Sequence, residues 1–277
     1  MTALKTILAH LDGQERGAQT LSLACRLARQ FDAHPCVVFA APVPMLAASA
    51  MDPAAAVVLE YQAQAQQALE NTARAQLAAA EATSGLAIEW RMAGSDLVAG
   101  LALHARHGDL MLMGQEDPER TLGFGGSLPV GVILGAGRPV LLVPYAGRFE
   151  GGFNSVLIAW NGGRESARAI ADALPLLQTA KKVNIVSFNP KDDADWGEIP
   201  GADIGLWLAR HGVRVTVQQS RSAEVDVGNQ ILSMAADLGS DLIVMGAYGH
   251  SRAMEWALGG VTRTILQSMT VPVLFSH

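Results

Sequence analysis

The sequence predicts an α/β fold made of two tandem copies of one domain, each a five-stranded, mostly parallel sheet with helices on both faces. Short apolar runs rich in branched residues alternate with segments of helical spacing, and this alternation is typical of βαβ units. The pattern starts again after a glycine-rich joint near 146–153. We therefore predict one domain at 1–146, called copy one, and a second at 153–277, called copy two.

An internal repeat supports the duplication. The run that ends in Met113-Gly114 matches the run that ends in Met245-Gly246 at an offset of 132 residues, which is 246 − 114. Pro139 and Pro272 stand in matching apolar runs at an offset of 133. Two matches at nearly the same offset indicate two copies of one structural unit.

In copy one, five apolar runs are predicted to be strands, at 6–11, 35–40, 86–92, 110–114 and 138–144. Asp12-Gly13 turns the chain from the first strand into a helix, and Asp96 can cap a helix that runs to His107. Asp52-Pro53 supplies an N-cap and first-turn pair for a long helix to about Ala82. The stripe of this helix consists mostly of small residues and predicts close packing on the sheet: Val58, Ala65, Leu69 and Leu77.

In copy two, the predicted strands are 155–160, 183–188, 213–217, 242–246 and 273–275. Helices are predicted after the turn at 161–163, with a kink at Pro175, then before His211, over 226–238 and over 260–269. The fifth strands of the two copies, Val140–Val143 and Val273–Phe275, would leave exposed backbone edges unless they pair. We therefore predict that the copies associate through these strands as an intramolecular pseudo-dimer. Whether two chains also form a homodimer is left open by the sequence.

Composition and charge exclude several classes of protein. With 50% hydrophobic and 17% charged residues, the chain can bury a large core. A net charge of −6 without clusters of Lys and Arg argues against a nucleic-acid partner. Only two cysteines are present, which fits a reducing cytoplasm. We expect neither an export signal nor a membrane span, because the weakly polar tract 41–59 is broken by prolines and an aspartate.

The segment 242–262 predicts a strand, a glycine loop and the start of a helix. Gly246 and Gly249 would let backbone approach a ligand where a Cβ would collide, and the free N–H groups at the start of the helix can bind an anion. Glycine is also common in turns that follow a strand, so the first two glycines by themselves are weak evidence for a nucleotide site. After nine intervening residues, 250–258, Gly259 and Gly260 complete the pattern.

This spacing resembles the nucleotide loop of the universal stress protein family, and the resemblance to tandem members covers nearly the whole chain. It implies a Rossmann-like fold in each copy and binding of ATP or another adenine nucleotide, with or without Mg²⁺, mainly in copy two. The nucleotide-binding positions that it implies are Asn161, Phe188, Met245, Gly246, Gly249, Gly259, Gly260, Val261 and Thr262.

Two of these positions depart from the family pattern. Asn161 stands where the family has an aspartate, which should ease the approach of a triphosphate and weaken any metal or ribose contact that needs a carboxylate. Gly260 stands where the family has Ser, Thr or Asn, so a backbone donor remains without a side-chain hydroxyl. Arg252 and Arg263 are either phosphate partners or solvated ends of helices.

Copy one has the elements of a second, degenerate site at Asp12, Gly114, Gly126 and Ser127. Asp117 stands where copy two has Gly249, and the loop is one residue shorter. Three acidic residues would lie near the phosphates, and each like charge costs on the order of 1 kcal/mol near a surface: Glu116, Asp117 and Glu119. Copy one is therefore expected to bind nucleotide poorly.

No residue is assigned a catalytic role, and no metal site is predicted. His104 and His107 share a helix face but have no third ligand, so they are interpreted as a surface pair. His10 is either a polar pocket residue or a satisfied core histidine, and the second interpretation is favoured. The resemblance favours a cytoplasmic, nucleotide-responsive regulatory stress protein without identifying its protein partner. The alternatives are a ligand-free scaffold that acts by protein association, or a slow ATPase or adenylyl-transferring enzyme.

Overall fold

The computed structural model describes residues 4–41, 55–116, 128–149, 152–190, 199–222, 224–247 and 260–277. Copy one contributes five strands: β1 (Thr6–Leu11), β2 (His34–Phe39), β3 (Glu89–Met92), β4 (Leu110–Gly114) and β5 (Val140–Val143). Its described helices are α1 (Gly17–Phe31), α2 (Ala55–Ser84), α3 (Leu97–Ala105) and α4 (Leu128–Ala136).

Copy two repeats this order. Its strands are β6 (Ser155–Trp160), β7 (Lys182–Phe188), β8 (Val215–Ser220), β9 (Leu242–Gly246) and β10 (Val273–Ser276). Its described helices are α5 (Arg164–Thr179), α6 (Ala202–Arg210), α7 (Val227–Asp237) and α8 (Gly260–Ser268). None of the described helices is long and apolar enough to cross a bilayer.

All ten strands form one sheet in the order β3-β2-β1-β4-β5-β10-β9-β6-β7-β8. Neighbouring strands within each copy are parallel, as βαβ connections require. The two copies meet where β5 pairs with β10 in antiparallel register, with Leu141 opposite Leu274. The predicted α/β fold and the predicted association through the fifth strands are confirmed.

The hydrophobic core continues across this junction on both faces of the sheet. Helices α1, α2, α5 and α6 contribute to one cluster, which includes Leu141 from copy one and Leu274 from copy two. Helices α3, α4, α7 and α8 contribute to the other, which includes Leu142 and Phe275. Because burial of apolar area is the main stabilising contribution, each copy stabilises the other.

The outer edge at β3 carries charged side chains. Glu89 is hydrogen-bonded by Arg91 at 2.8 Å and by His34 at 3.0 Å. These two hydrogen bonds lower the pKa of Glu89 to about 2. Charges of this kind discourage pairing of an edge strand with another chain.

Several elements differ from the sequence predictions. β8 begins at Val215 instead of 213, because the Val213 N–H donates to the Leu208 carbonyl at 3.1 Å and so closes α6, while Gly212 has a φ of 79°. β3 begins at Glu89 instead of 86. Helix α4 was not predicted, although the repeat with α8 implies it.

The prediction that α2 packs closely on the sheet is wrong for its first half. Among the side chains of this 30-residue helix only Ala73 and Ser84 are buried, and Val57 and Tyr61 are exposed. A helix of that length spans about 45 Å, whereas a six-residue strand spans about 20 Å. The sheet is too short to cover the helix. The predicted cap Asp52-Pro53 lies outside the described residues.

Candidate functional site

The sheet of copy two has a topological switch point between β6 and β9. These strands are neighbours, with Ala159 beside Met245, and the chain proceeds from them in opposite directions, to β7 and β8 on one side and to β10 on the other. In open α/β sheets, ligands bind outside the carboxyl ends of the strands at such a point. Because α8 connects β9 to β10, its N-terminus lies at the same edge.

Three of the predicted site residues lie on one face of this edge. Met245 is buried, and Phe188 and Val261 are half-buried, all in the cluster shared with α7 and α8. Beside Phe188, an open cleft of about 330 Å³ is lined by Asn189, Pro190, Arg221 and Ser222. The edge therefore combines an apolar wall with an open cleft whose lining includes polar residues.

The N-terminus of α8 is open to solvent. Gly260 is exposed, no atom of the described residues lies within 4 Å of the position that a Cβ would take there, and the first turn contains no acidic residue. The free N–H groups and the helix dipole favour an anion at this point. Thr262 is buried and Arg263 is exposed. Gly249, Gly259 and Arg252 lie outside the described residues.

The corresponding helix of copy one has its N-terminus occupied by a carboxylate of the protein. Glu116 Oε1 accepts the N–H of Leu128, the first residue of α4, at 2.8 Å. Leu128 is the counterpart of Val261, because the copy-one loop is one residue shorter and the repeat offset after it is 133, which is 261 − 128. Glu116 therefore occupies an N–H group at the start of α4, and the expectation that phosphates would lie there stays a prediction. Asp117, Glu119, Gly126 and Ser127 lie outside the described residues.

Asn161 and Asp12 make the same kind of local hydrogen bond in the two copies. The Asn161 Oδ1 atom accepts the N–H of Gly163 at 3.0 Å, and the Asp12 Oδ1 atom accepts the N–H of Gln14 at 2.8 Å. Each side chain therefore closes an Asx turn after the first strand of its copy. The second polar atom of the side chain is an amide donor in copy two and a carboxylate oxygen in copy one.

Gly246 is required by packing of the protein itself. A Cβ at this position would lie 2.6 Å from the Glu165 carbonyl carbon and 2.6 Å from the Ser166 nitrogen, in the first turn of α5. The prediction that a missing side chain at Gly246 makes room for a ligand is wrong, because α5 fills this space. At Gly114 of copy one, the nearest atom to such a Cβ is Thr20 Oγ1 at 3.7 Å.

Glu165, at the first turn of α5, is a site residue that the sequence analysis missed. Its side chain is 6% exposed, and Arg164 Nε donates to its Oε1 at 2.6 Å. Burial raises the pKa of the Glu165 carboxyl, but hydrogen bonds from Arg164 and from its own backbone N–H outweigh burial and hold the pKa below its usual value. Glu165 is thus a buried anion beside Asn161 and Gly246. Its position four residues after Asn161 was the available sequence signal.

Two of the three histidines singled out in copy one, His10 and His104, contact backbone carbonyls. His10 is buried and donates from Nε2 to the Ala40 carbonyl at 2.7 Å, which favours the interpretation as a core histidine. Burial lowers the pKa of His10 despite the opposing effect of Asp12. His104 contacts the Met92 carbonyl at 3.3 Å. The described ranges contain no group of three or more His, Cys, Asp and Glu residues that could hold a metal ion.

Comparisons with known proteins agree with this architecture. The sequence model of the universal stress protein family matches twice, at residues 3–144 and 152–277. No curated protein matches the chain.

Among solved structures, a universal stress protein from Archaeoglobus fulgidus DSM 4304 is similar, at 16% identity with a TM-score of 0.71, and the match covers 98% of this chain and 95% of that one. A putative universal stress protein from Pseudomonas aeruginosa UCBPP-PA14 is also similar, at 16% identity, a TM-score of 0.58 and 99% and 93% coverage. At these identities the structures show the fold. The two family matches cover nearly the entire chain, and the protein belongs to the universal stress protein family as a member with two tandem domains.

Proposed function

We propose that copy two binds one adenine nucleotide and that the protein acts as a nucleotide-responsive regulatory stress protein. The observation that carries the proposal is the difference between the last helices of the two copies. Helix α8 begins with an exposed first turn that has no acidic residue, whereas the first N–H of α4 is bonded to Glu116. A phosphate group can therefore bind the α8 N–H groups without displacing a carboxylate of any residue that the structure describes.

The nucleotide base is proposed to lie against the apolar wall. Phe188, Met245 and Val261 share one face of the carboxyl edge, and a purine ring gains free energy by covering half-buried apolar side chains. The cleft that begins at Asn189 would take the ribose or the polar edge of the base. The amide of Asn161 supplies a further donor beside the crevice.

The charge of Glu165 constrains where the phosphates lie. Glu165 is buried in the first turn of α5, so its carboxylate cannot move away from a bound anion easily. At about 4 Å, two like charges repel by about 1 kcal/mol in water and several-fold more in a protein environment. We therefore expect the phosphates over the α8 N-terminus instead of in the crevice beside Gly246, with Mg²⁺ contributing little through protein ligands.

Isothermal titration calorimetry tests the proposal, with ATP, ADP, AMP, adenosine and GTP as ligands. We expect one site per chain, adenine preferred over guanine, and an affinity that rises with the number of phosphates. The nucleotide retained after purification, released by denaturation and identified by chromatography, is the complementary measurement. A chain that binds none of these ligands and retains none would refute the proposal and favour the scaffold alternative.

Slow or absent hydrolysis is part of the proposal. Phosphoryl transfer needs a held metal ion, a group that positions water and stabilisation of the developing charge. N–H groups at a helix start bind ground state and transition state alike, which does not accelerate the reaction. Phosphate release measured over hours with Mg²⁺ checks this, and turnover near one per second would place the protein among the enzymes. A cytoplasmic location belongs to the same proposal, because both cysteines are buried and unpaired.

A further inference from the structure

A glutamine of copy one is hydrogen-bonded to the helix of copy two that carries the proposed phosphate site. Gln115 follows β4 directly and is 8% exposed. Its Nε2 amide donates to the Leu266 carbonyl of α8 at 2.8 Å. Its Oε1 accepts the N–H of Tyr145 at 3.0 Å, and its backbone N–H donates to the Val143 carbonyl at 2.8 Å. Both ends of the amide and the backbone are therefore fixed.

The acceptor of this hydrogen bond is one of the last carbonyls of α8. The final four carbonyls of a helix have no partner within the helix, and a side chain that donates to one of them stabilises the helix end. Helix α8 has nine residues, so it is about 13 Å long. A short helix of this kind moves as a unit, and a contact at its C-terminus also determines where its N-terminus lies.

Glu116, the residue after Gln115, makes a second contact between this segment and a helix. Gln115 bonds the C-terminal end of α8, and Glu116 bonds the first N–H of α4 in copy one. In the reverse direction, Arg168 of α5 in copy two donates to the Gly137 carbonyl, directly after α4. Each copy thus contributes a side chain that bonds the C-terminal end of the last helix of the other copy.

From this geometry we infer that Gln115 is a positioning residue for the nucleotide site of copy two, although it belongs to copy one and lies at the far end of α8. The inference rests on the proposed function, since it assigns Gln115 to that site. Copy one, whose own anion position is taken by Glu116, then serves copy two by holding α8 in place.

Two substitutions at Gln115 test the inference. Gln115→Met keeps the length and fills the buried space but removes both amide hydrogen bonds. Gln115→Glu keeps the acceptor for the Tyr145 N–H, loses the donor to Leu266, and places a negative charge at the negative end of the α8 dipole. We expect ATP affinity to fall about threefold to tenfold in Gln115→Met and further in Gln115→Glu.

Adenosine affinity separates positioning from a general loss of structure. The phosphates are proposed to bind the N–H groups of α8, whereas adenosine would contact this helix only through the Val261 side chain, so the affinity for adenosine should fall by no more than about twofold in both variants. Arg106→Met is the matched control, because Arg106 Nη2 donates to the Gly135 carbonyl at 3.0 Å and so bonds the end of α4 instead of α8. This control should leave the affinities for both ligands unchanged. Equal losses for ATP and adenosine, or no loss for ATP, would overturn the inference.

Hydrogen exchange of the nucleotide-free protein decides the structural half of the inference without any ligand. The hydrogen-bonded amides of α8, from Thr264 onward, should exchange about tenfold faster in Gln115→Met and at the wild-type rate in Arg106→Met. Unchanged exchange in α8 would show that Gln115 does not hold the helix. Wild-type protein that binds no nucleotide would instead refute the proposed function, and the exchange rates would still report on Gln115.

Discussion

Replacing Gly260 by aspartate should make the protein more stable and at the same time weaken nucleotide binding. The substitution fits the backbone, because Gly260 is not among the residues with positive φ and no atom of the residues that the structure describes lies within 4 Å of the added Cβ. The new carboxylate stands at the positive end of the α8 dipole, where it can accept a free N–H of the first turn. That is also the position proposed for the phosphates.

The two effects can be estimated from the same geometry. A carboxylate at a helix N-terminus stabilises by about 0.3–1 kcal/mol, and replacing a glycine that is not in a left-handed conformation adds about 0.4–1 kcal/mol. The free energy of unfolding should therefore rise by about 1 kcal/mol, which corresponds to a Tm increase of about 2–4 °C. Repulsion between the carboxylate and a phosphate at about 4 Å should weaken binding by about 1–3 kcal/mol, or about fivefold to 150-fold.

Calorimetry with ATP and thermal unfolding of the free protein measure the two effects separately. Gly260→Asn is the matched control, since it adds a side chain of the same size without charge and should keep the affinity within about threefold. The difference between Asp and Asn should shrink as salt is raised, because exposed charges are screened. An affinity for ATP in Gly260→Asp equal to that of Gly260→Asn at low salt would refute the assignment of the phosphates to α8.

Three further predictions concern stability. Gly246→Ala should destabilise the protein by about 1–3 kcal/mol, because the added Cβ would lie 2.6 Å from the backbone of α5. Gly114→Ala should change the stability by less than about 1 kcal/mol, because the nearest atom to its Cβ is 3.7 Å away. Equal urea midpoints for the two variants would contradict this. Glu116→Ala should cost about 1 kcal/mol through the lost bond to the Leu128 N–H and should leave one nucleotide per chain; a second nucleotide in calorimetry would show that Glu116 alone closes copy one. The pKa of Glu89 is lowered from 4.5 to about 2, so the stabilisation that its carboxylate gives the folded protein is complete above pH 4.5 and is lost as pH falls toward 2. Because the Glu89 side chain is 42% exposed, we expect this contribution to be about 1 kcal/mol or less. An acid unfolding transition of Glu89→Gln equal to that of the wild type would contradict this prediction.

The sequence predicted most of the strands because a buried parallel strand leaves a local signature. The runs at 6–11, 110–114, 155–160 and 242–246 coincide with β1, β4, β6 and β9. Strand ends at the edges of the sheet were less predictable. Val213 has the composition of a strand residue, yet its N–H closes α6, and that hydrogen bond depends on the left-handed turn at Gly212.

The sequence predicted where residues of the candidate site lie in the chain and in the fold, but it did not predict which other residues they contact. The spacing of glycines placed Gly246 and Gly260 at one edge, because the order of strand, loop and helix is local in sequence. It could not show that α5 fills the space at Gly246, since α5 and β9 are far apart in the chain. Glu165 was missed for the same reason: its burial is created by elements that meet only in the folded protein.

By itself, the sequence determined the duplication, the α/β class and the pairing of the fifth strands. The duplication follows from the repeat offset, the α/β class from the periodicity of the apolar residues, and the pairing from the need of an apolar edge strand for a partner. Only the tertiary structure decided how the copies differ as candidate sites. Glu116 on the N-terminus of α4, and Gln115 on the C-terminus of α8, join segments that the sequence separates. Contacts of this kind depend on distances of a few ångströms between distant residues, and no local pattern encodes them.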